Sequence, residues 1–167
     1  VGASLEVRDA RGAVAQDFDD DGYIDLAITG FNRDSGEGWL RVHRGGPEGY
    51  YDVGQGPDGR VTTFELTFQP ISLCSGDANG DGRLDLVIGG GDLRDAAGGW
   101  TSAVNSLVLY NQGRGFEAGL TTTTALYSAR PSACALGDVN HDGFDDVALG
   151  GSDLGAAPFP SATLHRS

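Results

Sequence analysis

The sequence predicts an all-β protein built from three repeated units of four short strands each. One acidic loop occurs three times, a short apolar strand follows each copy, and no segment has a sustained helical period. The loops begin at Asp17, Asp77 and Asp138, so successive copies lie 60 and 61 residues apart. Four strands in a repeat of this length are typical of the blade of a β-propeller.

The strands of each repeat are named A, B, C and D in chain order. Strand A precedes the acidic loop, strand B follows it, strand C comes after a variable connection, and strand D leads to the next loop. The predicted ranges are 13–15, 71–74 and 133–136 for A, 25–28, 85–88 and 146–149 for B, 39–43, 106–110 and 162–165 for C, and 61–68 and 120–127 for D. Turns rich in glycine, proline, aspartate and asparagine separate these strands, which accounts for much of the 28 glycines.

The order of strands leaves a strand D without a blade at the start of the chain, and it leaves the last A-B-C without a strand D. Residues 4–8 lie where repeats two and three place strand D, so the chain reads D-A-B-C three times. We expect one domain over residues 1–167, with repeats at about 1–46, 47–113 and 114–167. Known propellers close with about 4–8 blades, so three blades form an incomplete propeller. An open strand edge is a template for pairing, and we expect strand exchange between copies to complete it.

The three loops share the pattern D-x-[DN]-x-D-G-x-x-D. Side-chain oxygens at positions 1, 3 and 5 converge only if the backbone wraps tightly, and glycine at position 6 permits that turn. Position 7 offers its backbone carbonyl and position 9 a further carboxylate. The predicted ligands are Asp17, Asp19, Asp21, Tyr23 and Asp25 in loop 1, Asp77, Asn79, Asp81, Arg83 and Asp85 in loop 2, and Asp138, Asn140, Asp142, Phe144 and Asp146 in loop 3.

This ligand set indicates three Ca²⁺ sites. Calcium takes about 6–8 oxygen ligands, whereas Mg²⁺ prefers a smaller octahedral shell with retained waters. An EF-hand would place glutamate at position 12 between two helices. Position 12 is Ile28, Ile88 or Leu149 here, inside a predicted strand. The loops are therefore predicted to lie in β-hairpins, and the side chain at position 7 is expected to be free to vary.

The loops and the strands that follow them resemble FG-GAP repeats, also called VCBS repeats, over nearly the whole chain. This family forms the calcium-binding propeller of integrin α-subunits and of many secreted proteins. The resemblance implies that the loop positions are metal ligands, that the protein is extracellular or at the cell surface, and that it has no catalytic residue. The glycine-rich segment after strand B occupies the place of the family's Gly-Ala-Pro element, although no copy has that tripeptide.

Charge and composition exclude several other classes of function. The net charge of −13 argues against a nucleic-acid partner. No apolar run approaches the roughly 20 residues of a membrane span. No phosphate loop or nucleophile motif occurs. A glycosidase needs a carboxyl group that stays protonated, but bound calcium would keep these carboxylates ionised.

Two interpretations are open for the cysteines, Cys74 and Cys134, which lie three and four residues before loops 2 and 3. They form a disulfide if the neighbouring strands approach closely in an oxidising compartment. Alternatively, both are small buried apolar residues.

The sequence predicts an extracellular calcium-binding protein with a structural role, which self-assembles into a homo-oligomer, fibre or surface layer through strand exchange. The alternative is an adhesion module that binds a glycan or an extracellular protein and is part of a larger integrin-like or lectin-like propeller. An enzyme, such as a polysaccharide lyase or hydrolase on a propeller scaffold, has no support in these residues.

Overall fold

The computed structural model describes residues 5, 7, 9–51, 53, 60–94, 100–101, 105–117, 122–127, 131–151 and 162–165. These residues form twelve β-strands and no helix, so none of them belongs to a helix of the length and hydrophobicity that a membrane span requires. The strands are β1 (Ala10–Gln16), β2 (Asp25–Asn32), β3 (Glu37–His43), β4 (Val61–Leu66), β5 (Phe68–Gly76), β6 (Asp85–Arg94), β7 (Trp100–Thr101), β8 (Asn105–Tyr110), β9 (Thr122–Tyr127), β10 (Pro131–Gly137), β11 (Asp146–Gly151) and β12 (Ala162–His165). The all-β prediction is confirmed.

The strands form three antiparallel sheets, and in each sheet neighbouring strands lie in the order in which they occur in the sequence. Sheet 1 has the order β1-β2-β3-β4, and sheet 2 has the order β5-β6-β8-β9 with the short β7 paired to the end of β6. Sheet 3 contains β10, β11 and β12. In every sheet an acidic loop joins the first two strands, as the sequence predicts. The sheets are consistent with propeller blades.

Most predicted strands are longer in the structure, and two of the predicted strand D segments differ in other ways. Strand D of the first repeat ends at Leu66, and Phe68 instead begins β5, because the exposed Thr67 breaks the pairing where the chain crosses to sheet 2. The strand predicted over residues 4–8 lies outside the described residues except for Leu5 and Val7, which are not in a strand. Residues 120 and 121 of the second strand D also lie outside them.

Sheet 2 lies between the other two sheets and contributes to both hydrophobic cores. Successive side chains of β6 point to opposite faces, as the pleat of a strand requires. Leu86 and Ile88 therefore belong to the core shared with sheet 1, whereas Val87 belongs to the core shared with sheet 3. All three side chains are fully buried. Burial of such a side chain stabilises the fold by about 1.5–3 kcal/mol.

The first strands of the three sheets pack side by side, with β5 between β1 and β10. Val14 of β1 and Leu73 of β5 pack against the same core. At the next interface Cys74 and Cys134 form a disulfide, with their Cα atoms 5.9 Å apart. The disulfide interpretation of the cysteines is thus the one the structure supports. Closing a loop of this size stabilises a fold by about 4 kcal/mol in the chain-entropy account.

Candidate metal-binding loops

Loop 1 wraps around the side chain of its first residue. The two Asp17 carboxylate oxygens accept hydrogen bonds from the backbone N–H groups of Asp21 (3.2 Å) and Gly22 (2.9 Å). Asp21 in turn accepts one from the N–H of Tyr23 at 2.8 Å. Gly22 has a φ of +87°, in the left-handed region that glycine adopts without strain. Three of the predicted positions are therefore held in one tight turn by their own carboxylates.

Loops 2 and 3 repeat this wrapping. The first aspartate again accepts two backbone hydrogen bonds, at 3.0 and 2.8 Å in loop 2 and at 3.1 and 3.0 Å in loop 3. The asparagine at position 3 accepts a bond from the N–H of position 5, as Asn79 does at 3.1 Å. Position 4 is also left-handed in every loop, which the sequence analysis missed; its residues are Asp20, Gly80 and His141.

The aspartate at position 9 connects each loop to the rest of its sheet. One oxygen of Asp25 accepts the N–H of Phe18 (2.9 Å), and the other accepts that of Gly45 (2.7 Å), just beyond β3. Asp85 makes the corresponding bonds to Ala78 (3.1 Å) and Asn111 (2.8 Å). Both carboxylates are 0% exposed. Position 9 therefore fixes the start of the loop against the second and third strands.

The third copy of this contact is incomplete in the part of the chain that the structure describes. Asp146 is 1% exposed and accepts the N–H of Val139 at 3.2 Å through one oxygen. Its other oxygen, Oδ1, is buried and has no partner among those residues.

The carboxylates of Asp17, Asp19 and Asp21 come together in loop 1. One oxygen of each lies within 4.8 Å of the others. Asp25 is not in this group, so its part as a ligand stays a prediction, as do the backbone carbonyls at position 7. Asp19 Oδ1 is buried without a hydrogen-bond partner among the described residues. An oxygen-only group with an unsatisfied buried acceptor fits a hard cation such as Ca²⁺.

Loop 2 differs from the other loops because the side chain at position 7 contacts a predicted ligand. Arg83 Nη2 donates to Asp81 Oδ2 at 2.8 Å, and Arg83 Nε donates to the carbonyl of Asn111 at 3.2 Å. Asn79 Nδ2 donates to the same Asp81 oxygen at 3.1 Å. The position 7 side chain, which the sequence analysis expects to be free to vary, therefore makes specific contacts in loop 2. The sequence feature that could have predicted this contact is a basic residue, Arg83, within an acidic loop.

Loop 1 is bordered by a second arginine that sequence reasoning missed. Arg44 follows β3, and its Nε lies 3.8 Å from Asp19 Oδ2. Its Nη2 lies 3.6 Å from Glu117 Oε1 and donates to the carbonyl of Arg114 at 2.7 Å. Asn111 Nδ2 also donates to the carbonyl of Phe18 at 2.6 Å. The connection after β8 of sheet 2 thus lies against loop 1 of sheet 1.

Burial changes the acidity of three loop carboxylates. Burial raises the pKa of Asp85 to about 6, because the amides of Asn111 and Ala78 offset only part of the desolvation. Burial likewise raises the pKa of Asp25, and burial together with the nearby Asp21 carboxylate raises that of Asp19. Each of these carboxyl groups therefore holds a proton more readily than an exposed aspartate does.

Residues 17–88, which contain loops 1 and 2, match the family model described as the FG-GAP-like repeat. In addition, 122 residues are 37% identical to integrin alpha-IIb of Mus musculus. The chain is thus similar to FG-GAP repeats over residues 17–88. The match to the integrin covers 60% of this chain but 11% of the relative, so the chain spans about a tenth of that protein. The resemblance found in the loops and strands is confirmed.

We predict that pH has opposite effects on the folding stability of this chain with and without calcium. In EGTA, the unfolding free energy of the wild type relative to Asp85→Asn should fall as the pH rises from about 4 to about 7. Folded Asp85 holds its proton with a pKa of about 6, whereas the unfolded chain releases it near about 3.9. The stabilisation from the Asp85 proton is complete below the pKa of the unfolded chain and is lost above the pKa of the folded chain. The loss is on the order of 3 kcal/mol.

Urea unfolding followed by tryptophan fluorescence measures this difference. In saturating Ca²⁺ the trend should reverse, because the cation competes with the proton for the carboxylates. A difference between wild type and Asp85→Asn that does not depend on pH in EGTA would contradict the prediction.

We predict that Arg83 weakens calcium binding at loop 2. Arg83→Ala should increase the affinity of that loop by about threefold to tenfold, because it removes a cation and a hydrogen bond from Asp81. Isothermal titration with Ca²⁺ measures the change. Arg33→Ala is the matched control, since Arg33 is exposed in the turn between β2 and β3. Lower affinity in Arg83→Ala would show that Arg83 instead holds the loop in its binding conformation.

Proposed function

We propose that this chain is a calcium-stabilised module of an extracellular, integrin-like β-propeller. The observation that supports it best is the same carboxylate-wrapped turn in three loops, with the carboxylates of Asp17, Asp19 and Asp21 gathered in the first. Bound calcium would supply positive charge and direct bonds to oxygens. The residues that would hold it are those at positions 1, 3, 5, 7 and 9 of each loop.

The proposed cations act on the fold and not on a substrate. Each loop joins the first two strands of a sheet, and like charges crowd within it when no cation is bound. A cation that binds only the folded chain stabilises it by about 2.7 kcal/mol per site at 100 times its dissociation constant. Three such sites would therefore contribute much of the stability of a small domain.

The proposed biological role is adhesion or structure. Both comparisons point to a non-enzymatic family, and the similarity to an integrin suggests a surface or secreted protein. The partner would be a glycan or an extracellular protein, recognised by a propeller to which this chain contributes part of the blades.

Self-assembly by strand exchange is the second proposal, and the edge of sheet 3 favours it. β12 pairs with β11 through residues 162–165, and its other edge has no partner strand among the described residues. Sheets 1 and 2 each have a fourth strand in the equivalent place. A D strand from another copy would fill it and lead to a homo-oligomer or a fibre.

Deletion of residues 1–9 tests strand exchange, because it removes the segment for which the sequence predicts the donated strand D. Light scattering should then show a shift from oligomer to monomer. Assemblies of unchanged size would contradict the strand-exchange proposal and leave calcium binding unaffected.

Calcium titration tests the main proposal. We expect three Ca²⁺ per chain with dissociation constants of about 10⁻⁴–10⁻³ M, the range of extracellular modules. Asp21→Asn should reduce the number to two, because it removes a carboxylate at position 5 of loop 1. Isothermal titration and thermal unfolding with and without Ca²⁺ provide the two measurements.

Asp20→Asn is the matched control for Asp21→Asn. It makes the same charge change in the same loop, at the exposed position 4, where asparagine tolerates the φ of 57°. This variant should keep three sites. A wild-type chain that binds no calcium, with a melting temperature unaffected by it, would overturn the proposal.

A further inference from the structure

Asn111, directly after β8, lies between loop 1 and loop 2 and is 0% exposed. Its backbone N–H donates to Asp85 Oδ1 of loop 2 at 2.8 Å. Its side-chain Nδ2 donates to the carbonyl of Phe18 in loop 1 at 2.6 Å and to the carbonyl of Leu84 in loop 2 at 3.3 Å. One buried residue therefore contacts both loops.

The orientation of the Asn111 amide follows from a further contact. Its Oδ1 accepts the N–H of Gly113 at 3.0 Å, so Nδ2 faces the carbonyls of Phe18 and Leu84. Both hydrogens of Nδ2 then have an acceptor, whereas a reversed amide would place an oxygen against two carbonyl oxygens. The side chain is thereby held in one arrangement between the loops.

The equivalent residue of sheet 1 shows which part of Asn111 the hairpin itself uses. Gly45 follows the third strand of sheet 1 and donates its N–H to Asp25, as Asn111 does to Asp85. A Cβ at Gly45 would lie 2.2 Å from the carbonyl oxygen of Ile24, so this position carries no side chain. The bond between the loop and the chain beyond the third strand therefore needs only the backbone. The Asn111 side chain serves a separate contact, with loop 1.

Two other contacts hold the connection after β8 against loop 1. The rings of Phe18 and Phe116 meet edge to face with their centroids 5.3 Å apart, and the two residues are 3% and 0% exposed. Arg44 donates to the carbonyl of Arg114 at 2.7 Å and lies 3.8 Å from Asp19 of loop 1. A shift of loop 1 at position 2 therefore moves the residue that anchors loop 2.

We propose that Asn111 is a positioning residue that couples cation binding in loop 1 to cation binding in loop 2. Phe18 lies between the predicted ligands Asp17 and Asp19, and Asp85 is itself a predicted ligand. The Phe18 carbonyl would be fixed when loop 1 binds a cation, and the Asn111 amide would transmit that order to Asp85. Loop 2 then loses less conformational freedom when it binds its own cation, so the two sites bind with positive cooperativity.

The sign of the coupling separates this inference from simple electrostatics. Two bound cations repel each other, so charge alone would make the second binding step weaker than the first. Loops without a link would bind independently. The inference rests on the proposed calcium module, because both loops must bind a cation.

Calcium titration of variants that lack one or two loops measures the coupling. Asp142→Asn removes loop 3 and leaves loops 1 and 2. A second substitution, Asp21→Asn or Asp81→Asn, then leaves loop 2 or loop 1 alone. In Asp142→Asn, the product of the two stepwise association constants should exceed the product of the two single-loop constants by about tenfold.

Asn111→Ala in the same three backgrounds assigns the coupling to this side chain. The ratio of the two products should fall to about one, while each single loop should keep its affinity within about twofold because the backbone bond to Asp85 remains. A merely structural role would instead lower the single-loop affinities and leave the ratio unchanged. The matched control is Asn32→Ala, which removes an exposed amide that accepts the N–H groups of Asp34 and Ser35 in its own turn. This control should keep the tenfold ratio.

Hydrogen exchange tests the coupling without a substitution of Asn111. In Asp81→Asn/Asp142→Asn, which retains loop 1 alone, Ca²⁺ should slow exchange of the Ala78 and Asn111 amides, because both are bonded to Asp85. The Gly36 amide, which donates to the Asn32 carbonyl in the turn after β2, is the internal control and should exchange at an unchanged rate.

The outcomes separate the coupling from calcium binding itself. A ratio of one or less in Asp142→Asn, a tenfold ratio that persists in Asn111→Ala, or exchange in loop 2 that ignores Ca²⁺ at loop 1 would overturn the coupling. Three Ca²⁺ bound independently would do so and leave the module proposal standing. A wild-type chain that binds no Ca²⁺ would overturn both.

Discussion

In sheets 1 and 2, a buried aspartate at the start of the second strand joins the acidic loop to the chain beyond the third strand. Asp25 and Asp85 each accept two backbone N–H groups, one from the beginning of the loop and one from the chain beyond the third strand. Loop and hairpin are thereby fixed to each other by charge-assisted hydrogen bonds. The strands that carry the hydrophobic cores begin at these residues, so the position of the cores depends on the same contacts.

Burial of these carboxylates makes the loops sensitive to charge. Desolvation favours their protonated forms, as the pKa of about 6 for Asp85 shows. Each loop can relieve the crowding of its carboxylates with backbone amides, with an arginine, or with a cation. Loop 2 uses Arg83 and loop 1 borders Arg44. The three loops share one pattern but therefore differ in electrostatic environment.

Sheet 2 shows how a repeated unit is stabilised by its neighbours. Its β6 side chains enter two cores, and its first strand packs on β1 on one side and on β10 on the other. Hydrophobic packing at one interface and a disulfide at the other occupy equivalent places in the first strands. Sheets 1 and 3 each have one such interface, which is why Ile24 and Val139 remain exposed while their counterparts are covered.

The sequence alone determined the all-β class, the three loops and the strands beside them, because these features depend on residues close together in the chain. Glycine at position 6 and carboxylates at fixed spacing dictate the turn wherever they occur. Only the tertiary structure decided the pairing of Cys74 with Cys134, the contact of Arg44 with Asp19, and the exposure of Ile24 and Val139. Each of these depends on which sheet lies beside which, and no local pattern encodes that arrangement.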